Sequence, residues 1–483
     1  MAWDPAFEVV FNPKVVAMVG VTAGAKRGGI GETRAGFLEF FEQLEFPGRI
    51  YPVNPRATEI LGYKVYPSVS SIPEPVDLVI ISTPAQAVPS VLEDCIKANA
   101  RNVHVFTAGF EETGDEEAIA LGRRVRDIAL RGGLRVIGPN CMGLYVPESG
   151  VACFGELTKQ SGPVSFLSQS GGHCNWFSHY GQDYGIYFSK VISFGNAYIL
   201  DSTDYLEYLA TDPKTQIIGM YLEGVKDGRK LLKQVREINR VKPVILWKGG
   251  LTASGSRAVA SHTGSLAGQG AIWHGFFAQT GAVPVFSLDE LAETIMTFVH
   301  VKPPKGKRVA VLGSGGGSSV AAADTCNREG LDVPALTLET QAELRKFISL
   351  AGASIKNPLD TGVLFRDVSL LEREIELVAA DPNIDMLIVM PHMDRVHASN
   401  PDQVDHFIDY LCNFAKNNPY GKPVVIVFFS LSNEPWEGEL RIRLQKELPR
   451  RGVAVYNSLT GASRALARFY EYHRFQKELT VGS

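Results

Sequence analysis

"GPVSFLSQSGGHCNWFSHYGQDYG", residues 162–185, joins a short apolar run to a pair of glycines and then to a segment with helical spacing. The same order recurs at 15–44, through "GVTAGAKRGGIG", and at 308–330, through "GSGGGSS". Short apolar runs bounded by turn signals are typical of strands buried on both faces of a parallel sheet. Strands that lead through glycine turns into helices are typical of doubly wound α/β domains. The recurrence therefore predicts an α/β protein with several such domains.

Two segments divide the chain. Residues 145–161 carry no clear element, and "VKPPKGKR" at 301–308 has the composition of a linker. They predict domains at 1–150, 151–303 and 304–483. The second and third parts share one order: a glycine turn, several βα units, and then "KPVILWKGG" or "KPVVIVFFS". This shared order predicts that both are flavodoxin-like, although no residue-level repeat is visible.

Composition excludes several classes of function. The 483 residues carry a net charge of −4, with 45% hydrophobic and 21% charged residues, which is typical of a globular protein without a basic nucleic-acid surface. The six cysteines include no C-x-x-C pair, which argues against a disulfide framework or a thiolate metal site. The amino-terminal sequence lacks the pattern of a signal peptide, and no apolar run approaches the ~20 residues that span a bilayer. We expect a cytoplasmic protein with no resident metal.

The first glycine loop favours a ligand other than a nicotinamide dinucleotide. Its sequence is not G-x-G-x-x-G, and the second strand ends in "YPVNP", without the acidic residue that would hold the adenine ribose. Lys26 and Arg27 lie in the loop instead and suit a ligand with additional phosphate charge, such as coenzyme A (CoA). The alternative is a tight turn that binds nothing.

Several motifs together resemble one family over nearly the whole chain. The stretch from Gly48 to Cys95, "GRIYPVNPRATEILGYKVYPSVSSIPEPVDLVIISTPAQAVPSVLEDC", looks like the CoA-binding domain of NDP-forming acyl-CoA synthetases, the relatives of succinyl-CoA synthetase. Six shorter motifs follow in the order of that family: "AGFEETG" (108–114), "RVIGPNCMGL" (135–144), "GPVSFLSQSGG" (162–172), "YLEGVKDGRK" (221–230), "KPVILWKGG" (242–250) and "SHTGSLAG" (261–268). The chain resembles the α subunit of an ADP-forming acetate–CoA ligase.

This resemblance implies an N-terminal Rossmann-like CoA-binding domain followed by two flavodoxin-like domains of the succinyl-CoA-synthetase type. It implies CoA as a ligand, with a small carboxylic acid or acyl-CoA as substrate. The residues expected to bind CoA are Gly20, Thr22, Lys26, Arg27, Asn54, Pro55, Pro84 and Asn140. Asn140, in the rigid turn "GPNCMG", is expected near the thiol end of CoA.

The resemblance also implies that His262 becomes phosphorylated. Small residues surround it in "RAVASHTGSLAG" (257–268) and leave room for a phosphoryl group, and the pattern that follows predicts a loop position before a helix. A phosphoryl group on nitrogen carries about two negative charges. The hydroxyls of Ser168 and Ser170, with the N–H groups of Gly171 and Gly172 at a helix N-terminus, are expected to compensate this charge.

Glu223 in "YLEG" closes a predicted strand. The family pattern places a carboxylate there to accept a hydrogen bond from the other imidazole nitrogen, which fixes the tautomer and steadies the charged ring. From the residue alone, a solvated glutamate at a strand end is the alternative.

The segment after the second glycine turn departs from the family. His173, Asn175 and Trp176 stand where relatives usually carry small and aliphatic residues. They predict an altered acyl pocket, which Asn196 also lines, for an acid other than acetate or succinate. The alternative is that their bulk only fills core.

The sequence shows no stretch like an ATP-grasp domain and no Walker A motif. The resemblance therefore implies a second polypeptide, an ATP-grasp β subunit that holds ADP or ATP and Mg²⁺, in an α2β2 assembly. The third glycine turn, at 313–319, is expected to be a turn only. A CoA-binding subunit without catalytic activity is the competing interpretation.

Overall fold

The computed structural model describes residues 5–22, 36–263, 270–313, 315–362, 364, 367–428 and 434–481. Within it the chain forms two compact units. One comprises Met1–Tyr180 and Tyr187–Leu288, and the other comprises Gly181–Ile186 and Asp289–Ser483. No helix in these ranges combines the length and apolar character needed to cross a membrane.

The first unit begins with a five-stranded parallel sheet. Its elements are β1 (Val15–Val19), α1 (Gly36–Gln43), β2 (Arg49–Val53), the hairpin β3 (Glu59–Ile60) and β4 (Tyr63–Lys64), β5 (Leu78–Ile81), α2 (Val88–Lys97), β6 (Asn102–Val105), α3 (Glu116–Gly132) and β7 (Arg135–Ile137). The sheet order is β2-β1-β5-β6-β7. Strand β2 lies on one side of β1, and β5, β6 and β7 follow on the other, which is a doubly wound, Rossmann-like arrangement.

A seven-stranded sheet follows in the same unit. Its elements are β8 (Gly143–Val146), β9 (Val151–Ala152), β10 (Val164–Ser168), α4 (Gly171–Asp183), β11 (Phe188–Ser193), α5 (Ser202–Thr211), β12 (Ile217–Leu222), α6 (Gly228–Ile238), β13 (Val244–Lys248), α7 (Ala253–Thr263), α8 (Gly270–Thr280) and β14 (Val283–Val285). The order is β14-β13-β12-β10-β11-β8-β9. Its five parallel strands have the flavodoxin order, and the antiparallel pair β8 and β9 extends the edge beside β11.

That added pair corrects one expectation. The sequence shows no clear element in residues 145–161, yet half of β8 and all of β9 lie there, and Val191 of β11 pairs with Tyr145. The intervening Pro147 and Gly150 form the tight turn that lets the chain reverse between the two strands.

The second unit contains a four-stranded parallel sheet. Its elements are α9 (Leu288–His300), β15 (Val309–Leu312), α10 (Gly316–Arg328), α11 (Leu338–Leu344), α12 (Val368–Ala380), β16 (Met386–Val389), α13 (Met393–Ser399), α14 (Asp402–Asn417), β17 (Val424–Val427), α15 (Pro435–Arg450), β18 (Val455–Tyr456) and α16 (Leu459–Val481). The order is β15-β16-β17-β18, and single parallel bridges from Asp332 and Leu359 flank β15.

Local sequence explains these elements. Strands β1, β10 and β12 are buried along their whole length, as parallel strands covered on both faces should be. Helix α3 begins where Asp115 accepts the Ala118 N–H and ends at Gly133, whose φ of 62° suits the left-handed C-terminal position. The prediction of a doubly wound α/β fold is confirmed.

Candidate active site

The turn after β10 lies where the order of strands in the second sheet reverses. Strand β10 has β11 on one side and β12 on the other, and ligands of α/β sheets bind at the carboxyl ends of the strands at such a point. Helix α4 begins at Gly171, as predicted, so its first N–H groups lack partners within the helix and can meet an anion. The backbone of Gly171 and Gly172 thus forms the first residues of this helix.

The two serines of the turn are not equivalent. Ser168 is fully buried and its hydroxyl donates to the Ser170 carbonyl at 2.7 Å, so its proton is used inside the turn. Ser170 Oγ accepts the His173 N–H at 3.3 Å, which leaves the hydroxyl proton of Ser170 available to a bound anion. Both hydroxyls were expected to compensate phosphate charge; the Ser168 hydroxyl instead supports the turn, and that of Ser170 keeps a proton that such a role would use.

Gln169 connects this turn to Glu223. Its side-chain oxygen accepts the backbone N–H groups of Glu223 and Gly224, at 2.5 and 2.9 Å. The backbone N–H of Gln169 donates to the backbone carbonyl of Tyr221 at 3.2 Å. The structure thus brings together the turn after β10, residues 168–172, and the Glu223 carboxylate, which the sequence singled out separately. We call residues 168–172 the phosphate turn after the role expected of them.

Glu223 is buried rather than solvated, which removes the alternative raised from its sequence position. Its Oε1 accepts the Tyr221 hydroxyl at 3.2 Å, and its Oε2 has no hydrogen-bond partner among the described residues. The Lys248 ammonium donates to the Glu223 carbonyl at 2.8 Å and also to the Gly249 carbonyl. Burial lowers the pKa of Lys248 to about 8, although the Glu223 charge opposes the shift.

The structure corrects the local setting of His262. Residue 262 lies in the last turn of α7, not on a loop before a helix. Thr252 explains where this helix starts, because its hydroxyl accepts the Gly255 N–H at 3.1 Å. Helix α7 follows β13 and so leaves from the carboxyl edge of the sheet, the edge where Glu223 lies. The side chain of His262 is outside the described part of the chain.

Those residues expected to bind CoA that the structure describes lie at the carboxyl edge of the first sheet. Gly20 follows β1 with a φ of 95°, and a Cβ there would come within 2.9 Å of the backbone of Ser82 and Thr83. Asn54 follows β2 and donates from Nδ2 to the Val21 carbonyl at 2.9 Å. The Thr83 hydroxyl is buried without a partner in the described structure, so a ligand could use it. Thr22, Pro55 and Pro84 lie on the same loops, whereas Lys26 and Arg27 lie outside the described residues.

Asn140 joins the first sheet to the second. It follows β7, has a φ of 56°, and donates from its side chain to Asn196 at 3.2 Å. Asn196 in turn donates to Glu112 at 2.7 Å. Although burial opposes the effect, the hydrogen bonds that Glu112 accepts from backbone N–H groups and from Asn196 lower the pKa of its carboxyl.

The departures from the family pattern fall beside the phosphate turn. The His173 ring packs on those of Tyr221 and Trp247, with centroids 4.3 and 4.5 Å apart, and its Nδ1 is buried without a partner among described residues. Burial lowers the pKa of His173, which favours the neutral ring. Trp176 is 56% exposed, so its bulk does not fill core, and Asn175 is half-buried. Within the described residues no group of three histidine, cysteine, aspartate or glutamate side chains could hold a metal ion.

Comparisons with known proteins agree with this arrangement. Residues 14–147 match the family described as CoA binding domain, and residues 161–298 match the succinyl-CoA ligase like flavodoxin domain. The chain is 35% identical to subunit α of acetate–CoA ligase (ADP-forming) II from Pyrococcus furiosus, over 92% of this chain and 93% of that protein. It belongs to the ADP-forming acyl-CoA synthetase family. The resemblance inferred from the motifs is confirmed.

Two further members of the ADP-forming acyl-CoA synthetases extend the match. Acetate–CoA ligase (ADP-forming) I of Archaeoglobus fulgidus is 37% identical over 79% of this chain, which spans 54% of the length of that relative. The solved acetyl-coenzyme A synthetase 1 of Ca. Korarchaeum cryptofilum, in complex with phosphate and ADP, superposes with a TM-score of 0.80. That match has 30% identity over 99% of this chain and 98% of the other.

Three residues of the site were missed in the sequence. Gln169 stands between two serines that were identified, Tyr221 opens the "YLEG" motif, and Lys248 ends β13. A buried lysine in an otherwise apolar strand was a visible signal, because an ammonium is almost never fully buried without partners. The roles of Gln169 and Tyr221 depend on contacts between strands and could not be read along the chain.

Proposed function

We propose that this chain is the α subunit of an ADP-forming acyl-CoA synthetase, which interconverts a carboxylic acid, CoA and ATP with acyl-CoA, ADP and phosphate. In this proposal residues 1–150 bind CoA, 151–303 carry the phosphohistidine segment, and 304–483 form a second ligase-type domain. The observation that carries the proposal is the junction of Glu223 with the Ser170–Gly172 turn through Gln169.

The chemistry has three reversible steps. A phosphate oxygen attacks the thioester carbonyl, the C–S bond breaks, and the thiol of CoA leaves with a proton, giving an acyl phosphate. The unprotonated ring nitrogen of His262 then attacks phosphorus, and the carboxylate leaves with the bridging oxygen. Finally a β-phosphate oxygen of ADP takes the phosphoryl group, the N–P bond breaks, and neutral His262 is restored.

In this proposal the chain contributes positioning and charge stabilisation. The Gly171 and Gly172 N–H groups and the Ser170 hydroxyl hold the phosphoryl oxygens. Oε2 of Glu223 accepts the second N–H of the His262 ring, which leaves the attacking nitrogen unprotonated and stabilises the cationic ring after transfer. Gly20, Thr22, Lys26, Arg27, Asn54, Pro55 and Pro84 hold CoA, and Asn140 lies at its thiol end.

The third step requires a second polypeptide. We propose an ATP-grasp β subunit that holds ADP and Mg²⁺, in an α2β2 complex in the cytoplasm. Support comes from the Pyrococcus furiosus relative, which is named as a subunit and has almost the same extent as this chain. The acyl group in this proposal is bulkier or more polar than acetate, because His173 and the exposed Trp176 stand beside the phosphate turn.

Purification of the chain with the polypeptide that binds it tests this function. The complex should release CoA thiol from acyl-CoA continuously only when phosphate and ADP are both present, and should then form ATP in equal amount. With phosphate alone, release should stop once His262 is phosphorylated. The chain alone should form no ATP. Complete turnover by the chain alone would contradict the need for a partner, and binding of acyl-CoA without phosphate-dependent thiol release would favour a non-catalytic CoA-binding subunit.

A further inference from the structure

Glu223 is fixed by its neighbours at every polar atom except one. The backbone N–H is held by Gln169 and the carbonyl by Lys248, while Oε1 accepts from Tyr221. Oε2 alone is buried without a partner in the described part of the chain. A buried carboxylate oxygen without a hydrogen bond lowers the stability of the fold unless a donor reaches it. Oε2 is therefore the oxygen of Glu223 that can accept a hydrogen bond from a further donor.

Tyr221 determines which oxygen stays open. The Tyr221 ring packs against the rings of His173 and Trp247, whose centroids lie 4.3 and 4.8 Å from its own. This packing restricts the position of its hydroxyl. Burial and the neighbouring Glu223 charge raise the pKa of Tyr221, so the hydroxyl keeps its proton and donates it. A Cβ at residue 249 would lie 2.7 Å from this hydroxyl, and Gly249 therefore leaves the space that the hydroxyl needs.

We propose that Tyr221 is a positioning residue for phosphoryl transfer: by donating to Oε1 it fixes the Glu223 carboxylate and leaves Oε2 open for the donor that the proposed function assigns to it, the His262 ring. This inference rests on the proposed function, because it assigns Tyr221 a role in the formation of phosphohistidine.

Among the described residues, three groups face Glu223: Tyr221 from its own strand β12, Lys248 from β13, and His173 from α4 through the Tyr221 ring. Substitution of Tyr221 leaves the other two in place. Loss of the Tyr221 hydroxyl removes the hydrogen bond to Oε1, so the carboxylate can turn and Oε2 no longer has a fixed position.

The test compares Tyr221→Phe with Tyr205→Phe in the full chain. Tyr205 is a fully buried tyrosine of the same unit whose hydroxyl has no partner among the described residues, so its loss controls for the loss of a buried oxygen. The measurement is the initial rate of phosphohistidine formation from ³²P-phosphate at a series of acetyl-CoA concentrations, which gives the maximal rate and the half-saturating concentration separately. A larger acyl-CoA replaces acetyl-CoA if it reacts faster.

Tyr221→Phe should lower the maximal rate of phosphohistidine formation about tenfold and leave the half-saturating acyl-CoA concentration unchanged, while Tyr205→Phe should change neither. A second variant, Gly249→Ala, should give the same loss of maximal rate, because it displaces the hydroxyl without removing it. An unchanged maximal rate in Tyr221→Phe, or equal losses in Tyr221→Phe and Tyr205→Phe, would overturn the inference. If the unsubstituted chain takes up no label, the proposed function itself fails and this inference fails with it.

Discussion

The side chain of Asn140 donates a hydrogen bond of 3.2 Å to that of Asn196. Asn140 ends the first sheet and Asn196 follows β11 of the second, so this bond joins the edge expected to hold the CoA thiol to the edge that carries the phosphate turn. Met142 lies at the same junction, 2.8 Å from where a Cβ on Gly171 would be. The proposed first step needs the thioester and the phosphate at one place, and this junction is where the two edges meet.

Gly195 should be essential to the junction. Its φ is 50°, and a Cβ would lie 2.3 Å from the carbonyl oxygens of Pro139 and Asn140. Gly195→Ala must therefore displace the Asn140 turn, and we expect a loss of about 1–3 kcal/mol in the free energy of unfolding and at least a tenfold loss of CoA release. Chemical unfolding and a thiol assay measure both.

Gly228→Ala is the matched control for that change, because a Cβ there meets nothing within 4 Å. It should leave CoA release unchanged. Equal effects of the two substitutions would show that the Asn140 turn is not held as described.

Gln169 should link stability to activity. Gln169→Leu leaves the N–H groups of Glu223 and Gly224 without an acceptor in a buried setting, at a cost of about 1–3 kcal/mol for each group. Gln169→Glu keeps an acceptor oxygen but adds charge beside the phosphate turn. The leucine variant should lower both the unfolding free energy and the phosphorylation rate, whereas the glutamate variant should lower mainly the rate. Stability loss in both variants alike would contradict the bridge.

Glu374 gives the second unit a pH dependence. Burial raises the pKa of Glu374 from 4.5 to about 8, so the folded state holds a proton that the unfolded state releases. The free energy of unfolding therefore falls as the pH rises from 4.5 to about 8, by up to about 1.4 kcal/mol per pH unit. Glu374→Gln should flatten this decline between pH 5 and pH 8. Glu339→Gln, an exposed change on α11, should not, and a Glu374→Gln slope equal to the unsubstituted one would refute the account.

His173 should influence the choice of acyl group. It contacts the Tyr221 and Trp247 rings next to Gly172, so His173→Ala opens space beside the phosphate turn. We expect the ratio of CoA release rates between a large and a small acyl-CoA to change at least severalfold. Trp176→Ala at an exposed position provides a comparison, and best turnover with acetyl-CoA in the unsubstituted chain would contradict an altered pocket.

Local patterns predicted most of the fold. The apolar runs at β1, β10 and β15, each followed by glycines, predict parallel strands and turns without any tertiary information. The pattern along the chain does not predict strand β11 (Phe188–Ser193), which carries Lys190 between its apolar residues. In the structure its ammonium is buried 2.7 Å from Asp212, a partner beyond the reach of local patterns.

The candidate site was predicted less evenly. Glu223 and the glycines after β10 follow from the resemblance, since short motifs preserve them in order. The helix that contains residue 262 did not follow, because small residues are typical of loops as well as helices and the Thr252 cap becomes visible only in three dimensions. The hydrogen bonds of Gln169 and Tyr221 depend on the packing of three parallel strands, so no pattern along one segment indicates them.

Transfer of ³²P from inorganic phosphate to the chain in the presence of acyl-CoA tests the central claim most directly. The account predicts an acid-labile, base-stable label that maps to the peptide containing His262 and is absent from His262→Ala. The same amount of ³²P label in His262→Ala, or a label that maps to another residue, would contradict the account.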